Sequence, residues 1–227
     1  MIRQQEVDML DFEKAQRMSL TTQVEVNLKS ALIIGALKPG ARLVTKDIAE
    51  QLGTSITPVR EALLRLVSSG ALQATPAQAF LVPEVTLERY REINAIRKKL
   101  EGMAASAAAL LMTADKLREL RGLADEFQRA VGNSDIEQTL QANYRFRFRL
   151  YHYAEMPTLT ALIEQLWVRI GPSFNYLHPQ PEMVFHGSDF YQELLAALEK
   201  KDETASYQAI CTAIDQGAAV LQRQYLN

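Results

Sequence analysis

Ser55, Thr57 and Arg60 fall within a span of six residues and offer two small hydroxyls and a guanidinium. That set suits phosphate oxygens and guanine edges. To act together they must leave one face at the start of a helix, and residues 54–66 supply it. Ser55 or Thr57 is read as the N-cap, and Pro58 fits a first turn, where amide hydrogens lack helical partners. Val59, Ala62, Leu63, Leu66 and Val67 recur at helical spacing and form the buried face, leaving the hydroxyls and Arg60 outward. The amphipathic run Lys46–Leu52 precedes it, separated by Gly53. Helix, tight glycine turn, helix with exposed donors is a helix-turn-helix pattern. Upstream, Leu28, Leu32, Ile33 and Ala36 give a third helical stripe, closed by Gly35 and the Lys38-Pro39-Gly40 turn. Downstream of Gly70, the runs 71–74 and 79–82 flank Thr75-Pro76-Ala77-Gln78 and read as a small hairpin, or wing.

Composition bounds what such a unit can do. With 227 residues the chain has room for two small domains, and a net charge of −2 gives no global pull toward nucleic acid. Residues 20–83 are only mildly basic: Lys29, Lys38, Arg42, Lys46, Arg60 and Arg65 face Glu25, Asp47, Glu50 and Glu61. Affinity for DNA must therefore come from local placement and from two half-sites in a dimer. The single cysteine, Cys211, excludes an intramolecular disulfide, suits a reducing cytoplasm and is read as a small core residue. No run approaches the ~18 apolar residues of a membrane span, and no signal peptide opens the chain. Residues 1–19, polar and charged, are read as a flexible arm or a short helix. We find no glycine-rich phosphate loop, no His-Glu-x-x-His and no nucleophile elbow, so an enzyme is not expected.

From Thr86, read as an N-cap, to Asn227 the pattern is helical. Ile93, Ile96, Leu100, Met103, Ala104, Ala107 and Leu111 form one apolar stripe. Further helices are predicted at about 115–130, from Ser134 or Asp135 to about Tyr153, from Pro157 to Ile170, and at roughly 183–200 and 203–225, with breaks at Gly171-Pro172 and Pro179–Pro181. Six helices with short loops make an antiparallel bundle. His152, His178 and His186 lack the i, i+3 or i, i+4 pairing of helical metal sites and are read as surface residues. Trp167 is expected in the core.

The runs Gly35–Leu43, Ile48–Gly53 and Thr57–Leu66 resemble the winged-helix domain of GntR-type bacterial transcription regulators, over roughly residues 20–83. The resemblance implies DNA contacts at Lys46, Ser55, Thr57 and Arg60, with Gln78 on the wing. Ile56 stands where the family usually has arginine; it either packs on a thymine methyl or sits in the core. Thr75, Gln78 and Ala79 replace an arginine, a polar or basic residue and a glycine. Two or three cationic contacts are thus missing per protomer, and at about 0.9 of salt slope per neutralised phosphate this predicts a shallow salt dependence.

Ile96–Glu101 and Leu195–Asp202 resemble the FadR-like branch of the same family, which carries an all-helical FCD effector domain. Many such domains hold a divalent metal with an aspartate and three histidines. The corresponding positions here are Asn143, Arg147, Tyr191 and Ala213, none of them suited to such an ion, so the metal site is expected to be lost and no cofactor is expected. Arg147, with Asn143, Tyr191 and Arg97, then has two readings. It pairs with Glu101 or another internal carboxylate and is structural, or it anchors a carboxylate-bearing effector.

The sequence thus predicts a mainly α protein with an arm (1–19), a winged helix-turn-helix (20–83) and an all-helical effector-binding and dimerisation bundle (84–227). The expected function is a cytoplasmic, homodimeric repressor of a palindromic double-stranded operator, without membrane partners. The alternative is a helical ligand-binding or interaction module with weakened DNA binding.

Overall fold

The structure is a computed structural model that describes residues 19–76, 79–177 and 187–225. Most of the N-terminal arm, Gln78, the Pro179–Pro181 break, His178 and His186 lie outside these residues.

Helix α1 (Leu20–Ile33) starts at Ser19, whose hydroxyl accepts from the Thr22 amide, and buries Val24, Leu28, Leu32 and Ile33. Ala36, assigned above to the same stripe, lies past the helix end and is exposed, because Gly35 (φ +70°) turns the chain away. Helix α2 (Thr45–Leu52) ends at Gly53, whose left-handed backbone (φ +61°) makes the tight turn. Helix α3 (Ile56–Ser68) buries Val59, Ala62, Leu63 and Leu66 against α1 and α2. Ser55 occupies the N-cap with extended backbone; Thr57 lies inside the first turn, so the reading of Thr57 as a cap is corrected.

The wing is a sheet of three strands rather than a lone hairpin. β2 (Gln73–Ala74) and β3 (Phe80–Leu81) pair antiparallel as expected, and β1 (Arg42–Leu43) pairs on the other side of β3. β1 has too few residues to show a period-two pattern, which is why the sequence did not reveal it.

Among the described residues six α-helices follow: α4 (Leu87–Leu110), α5 (Ala114–Gly132), α6 (Ile136–Tyr153), α7 (Pro157–Ile170), α8 (Gly187–Glu199) and α9 (Glu203–Tyr225). Their starts are local signals: Thr86, Thr113 and Asp135 each accept an amide from the first turn, and Pro157 opens α7. The α7 helix ends at Ile170, as the Gly171-Pro172 break predicts, and the chain continues as a 3-10 turn over Gly171–Leu177. Among the described residues no helix is long and apolar enough to cross a membrane.

α4 departs most from the sequence reading. Ile93 and Ala104 are buried, but Ile96, Met103 and Leu111 of the same predicted stripe are 42, 43 and 40% exposed. The bundle instead takes the face carrying Tyr90, Asn94, Arg97, Glu101, Ala105 and Ala108. A polar face wins because Arg97 and Glu101, four residues apart, satisfy each other inside, while flanking alanines and Gly102 let α9 approach closely. A Cβ on Gly102 would lie 2.5 Å from the Tyr207 ring.

The two domains touch through α1, which packs against α7 and the 3-10 turn. A Cβ on Gly171 would fall 2.2 Å from the Leu32 carbonyl oxygen and 2.8 Å from the Ile33 Cα, so backbone meets backbone there and only glycine fits.

Candidate DNA-binding face and polar cluster of the helical domain

The amino-terminal end of α3 is a free surface. Ser55, Thr57 and Arg60 are exposed, and the Ser55 hydroxyl makes no capping bond. No acidic residue stands in the first turn, so unpaired amides and the positive end of the helix dipole face outward uncompensated. Among the described residues, Arg60 has no ion-pair partner. Ile56 is 53% exposed, which removes the core reading and leaves its side chain beside the hydroxyls. Lys46, at the start of α2, is 73% exposed and only loosely paired with Glu50 at 3.8 Å. Thr75 is used inside the wing: its hydroxyl donates to the Ala79 carbonyl (2.9 Å) and accepts from the Ala79 amide (3.2 Å). Ala79 is buried.

The second constellation lies inside the bundle, around Glu101, which is fully buried. Its Oε1 accepts from Arg97 Nε (2.6 Å) and Trp167 Nε1 (2.9 Å). Its Oε2 accepts from Arg147 Nη1 (3.3 Å) and the Tyr151 hydroxyl. Arg97 also donates to Asn94 Oδ1 (2.9 Å) and lies over the Trp167 ring at 4.9 Å. Arg147 lies over Phe190 at 4.9 Å. Burial pushes the Glu101 carboxyl up, but Arg97 and Arg147 outweigh it and hold the group below its ordinary value. Tyr151 is pushed well above its ordinary value by burial and by the neighbouring Glu101 charge, so it stays a donor.

Of the four residues singled out for an effector, Arg97 and Arg147 meet on Glu101, while Tyr191 donates to Asn143 (3.0 Å). Phe190, which lies under Arg147, touches the Tyr191 ring at 4.9 Å and so places both pairs in one neighbourhood; burial raises the Tyr191 hydroxyl despite Arg147. Sequence reasoning missed Asn94 and Tyr151 as members, and it read Trp167 only as core. Trp167 is core, 1% exposed, and also a donor to the cluster. The signal was available in part: Asn94, Arg97 and Glu101 share one helical face, but nothing local says that this face turns inward.

The cluster is unevenly charged. Among the described residues two guanidinium groups face one carboxylate, and Arg147 Nε and Asn94 Nδ2 are buried with no hydrogen-bond partner. Among the described residues a dication does not fit this donor set, since its one acid already accepts from four donors, two of them guanidinium groups.

A helix-turn-helix with an acid-free recognition end, joined to a helical bundle, matches two family models. The model "Bacterial regulatory proteins, gntR family" covers residues 20–82, and the FCD domain model covers residues 92–216. The chain belongs to the GntR family of transcription regulators, in the branch that carries an FCD domain. The HTH-type transcriptional regulator McbR of Escherichia coli K12 is 49% identical over 93% of this chain and 97% of its own length. The solved structure of E. coli McbR/YncC superposes with a TM-score of 0.88 over 92% of this chain and 100% of that one. The transcriptional repressor RspR of E. coli K12 is 24% identical over 81% of this chain and 80% of its own. A putative GntR regulator from Rhodococcus sp. RHA1, 23% identical with a TM-score of 0.75 over 91% of this chain and 99% of its own, shares the fold. These relatives are transcription regulators, not enzymes, and this GntR regulator has a DNA-binding winged helix and a helical FCD domain.

Proposed function

We propose that this GntR regulator is a homodimeric repressor of a palindromic operator, and that a small carboxylate-bearing effector, bound without a metal, controls it. The observation that carries the DNA part is the recognition end of α3, with Arg60 unpaired beside free hydroxyls on an acid-free helix start. Arg60 fits a guanine edge and Ser55 and Thr57 fit phosphates, with Lys46 as a further backbone contact. Ile56, exposed on the same face, fits a thymine methyl and reads sequence without adding charge. The repressor sign takes its support from RspR.

Support for the dimer comes from α4. Ile96, Leu100, Met103, Ala107 and Leu110 follow one another at spacings of four, three, four and three, the spacing of a helix–helix seam. Ile96, Met103 and Leu110 are 42, 43 and 52% exposed, while Leu100 and Ala107 are partly buried against the core, so the seam runs along the edge of the bundle with an open apolar side. A second copy covering it would space two α3 helices for two half-sites.

The effector reading rests on the uneven cluster. Arg147 would supply the fixed positive charge that a metal supplies elsewhere in the branch, its Nε completing a bidentate pair with the effector's carboxylate. Asn94 Nδ2 is the second free donor, and Asn143 and Tyr191 line the same region.

Selecting duplexes from random DNA with the purified regulator tests the first part. A short palindrome is expected; nothing above background would favour a helical module that has lost DNA binding. Calorimetric titration with a panel of organic acids, in the presence of chelator, tests the second. Heat that disappears in Arg147→Ala is expected, and no heat, or heat indifferent to that change, overturns it.

A further inference from the structure

The end of α7 touches both halves of the molecule within five residues. Trp167 faces the bundle and donates to Glu101 (2.9 Å). Arg169, two residues and about 200° further round the helix, faces the other way. Its Nε and Nη2 both donate to the Ser69 carbonyl, at 2.9 and 2.6 Å, across one hundred residues of sequence. Ser69 is the C-cap of the recognition helix, so this carbonyl is one that the helix itself leaves without a partner, at its negative end. A guanidinium there satisfies it twice over and complements the dipole. The same side chain lies against Gly70, 3.7 Å from where a Cβ would stand. Gly171 then wedges against the last turn of α1 at the Leu32 and Ile33 backbone.

We infer that α7 is a strut by which the Glu101 cluster sets the pose of the recognition helix, with Arg169 as the positioning residue that grips α3 and Trp167 as the arm that senses the cluster. A single fourteen-residue helix, packed along one face by Leu159, Ile163, Trp167 and Ile170, moves as one piece. Whatever shifts Trp167 against Glu101 also shifts Arg169 against Ser69, and by linkage DNA held on α3 is felt at Trp167. The inference takes from the preceding reading only that a ligand of the helical domain acts at this cluster.

The test has an arm that needs neither ligand nor DNA. Hydrogen exchange is followed by mass spectrometry in full-length wild type, Trp167→Phe, Arg169→Gln and the double variant, after circular dichroism has shown native helicity. Exchange in residues 65–72, the end of α3 and the turn after it, is expected to quicken roughly tenfold in Arg169→Gln, a bond to a charged donor being lost. Trp167→Phe is expected to quicken it too, and the double variant to add little beyond Arg169→Gln alone. Arg169→Lys, which keeps the charge but not the paired N–H groups, is expected to recover only part of the protection. An unchanged recognition helix in Trp167→Phe, or strictly additive effects, would overturn the inference. Should Trp167→Phe not fold, the reverse measurement decides. Trp167 is the only tryptophan in the chain, so its emission reports the cluster directly. A shift is expected in Arg169→Gln, and identical emission would count against the strut. The DNA arm adds a selected duplex: it is expected to change Trp167 emission in wild type but not in Arg169→Gln. Failure of wild type to bind any duplex strikes the operator reading alone, and the exchange arm still decides the strut.

Discussion

Glu101 and Arg147 meet at 3.3 Å in the centre of the helical domain, the carboxylate 0% and the guanidinium 7% exposed, forty-six residues apart in sequence. Breaking such a pair from one side leaves an uncompensated buried charge, which costs far more than the pair itself contributes.

Replacing Glu101 by Gln therefore leaves Arg97 and Arg147 facing each other. We expect a loss of about 3–5 kcal/mol in stability by urea titration. The acid response of wild type has a fixed sign. The folded-state pKa of Glu101 lies below the ordinary 4.5, so its contribution is fully present above that value and is lost as pH falls through the folded value. The thermal midpoint of wild type should fall below pH 4.5 more steeply than that of Glu101→Gln; parallel curves would show that Glu101 does not carry the acid sensitivity.

Arg60→Ala should weaken binding to the selected duplex by about 1–3 kcal/mol and relax the base preference at one position of each half-site. Ile56→Arg should do the opposite, tightening binding to all sequences and steepening the salt slope by about 0.9 for each added phosphate contact. Fluorescence anisotropy at several salt concentrations measures both. An Ile56→Arg slope equal to wild type would mean that position 56 does not reach the backbone.

Met103→Glu places a carboxylate in the middle of the α4 seam, next to its own symmetry mate in a two-fold dimer. We expect the dissociation constant for self-association to rise about tenfold or more, with the monomer still folded because Met103 is already 43% exposed. Sedimentation equilibrium reads it, and an unmoved constant would place the dimer contact elsewhere.

Gly171→Ala puts a methyl group 2.2 Å from the Leu32 carbonyl oxygen, against backbone rather than a side chain that could turn aside. Destabilisation of about 1–3 kcal/mol or more is expected, together with faster proteolysis between the two domains. Wild-type stability in this variant would mean that the domain contact gives way freely.

Much of the DNA-binding end was legible because its signals are local. A glycine that takes φ +61° in the turn, a proline tolerated in a first turn and apolar spacing along α3 fix which side chains face outward, whatever the rest of the chain does. The starts of α4, α5, α6 and α7 were legible for the same reason, since a cap needs only the three residues after it. The buried face of α4 was not. That helix carries an apolar seam on one side and Asn94, Arg97 and Glu101 on another, and hydrophobicity alone selects the wrong one. Only partners arriving from α6 and α7, Arg147, Tyr151 and Trp167, make the polar face cheaper to bury. Likewise nothing near Arg169 in sequence announces Ser69, and nothing near Gly171 announces Leu32. By itself the sequence determined the helix starts and the outward chemistry of the recognition helix, because each depends on neighbours a few residues away. The tertiary structure alone decided which charges share one carboxylate and where the domains grip each other, because those contacts exist only once distant helices pack.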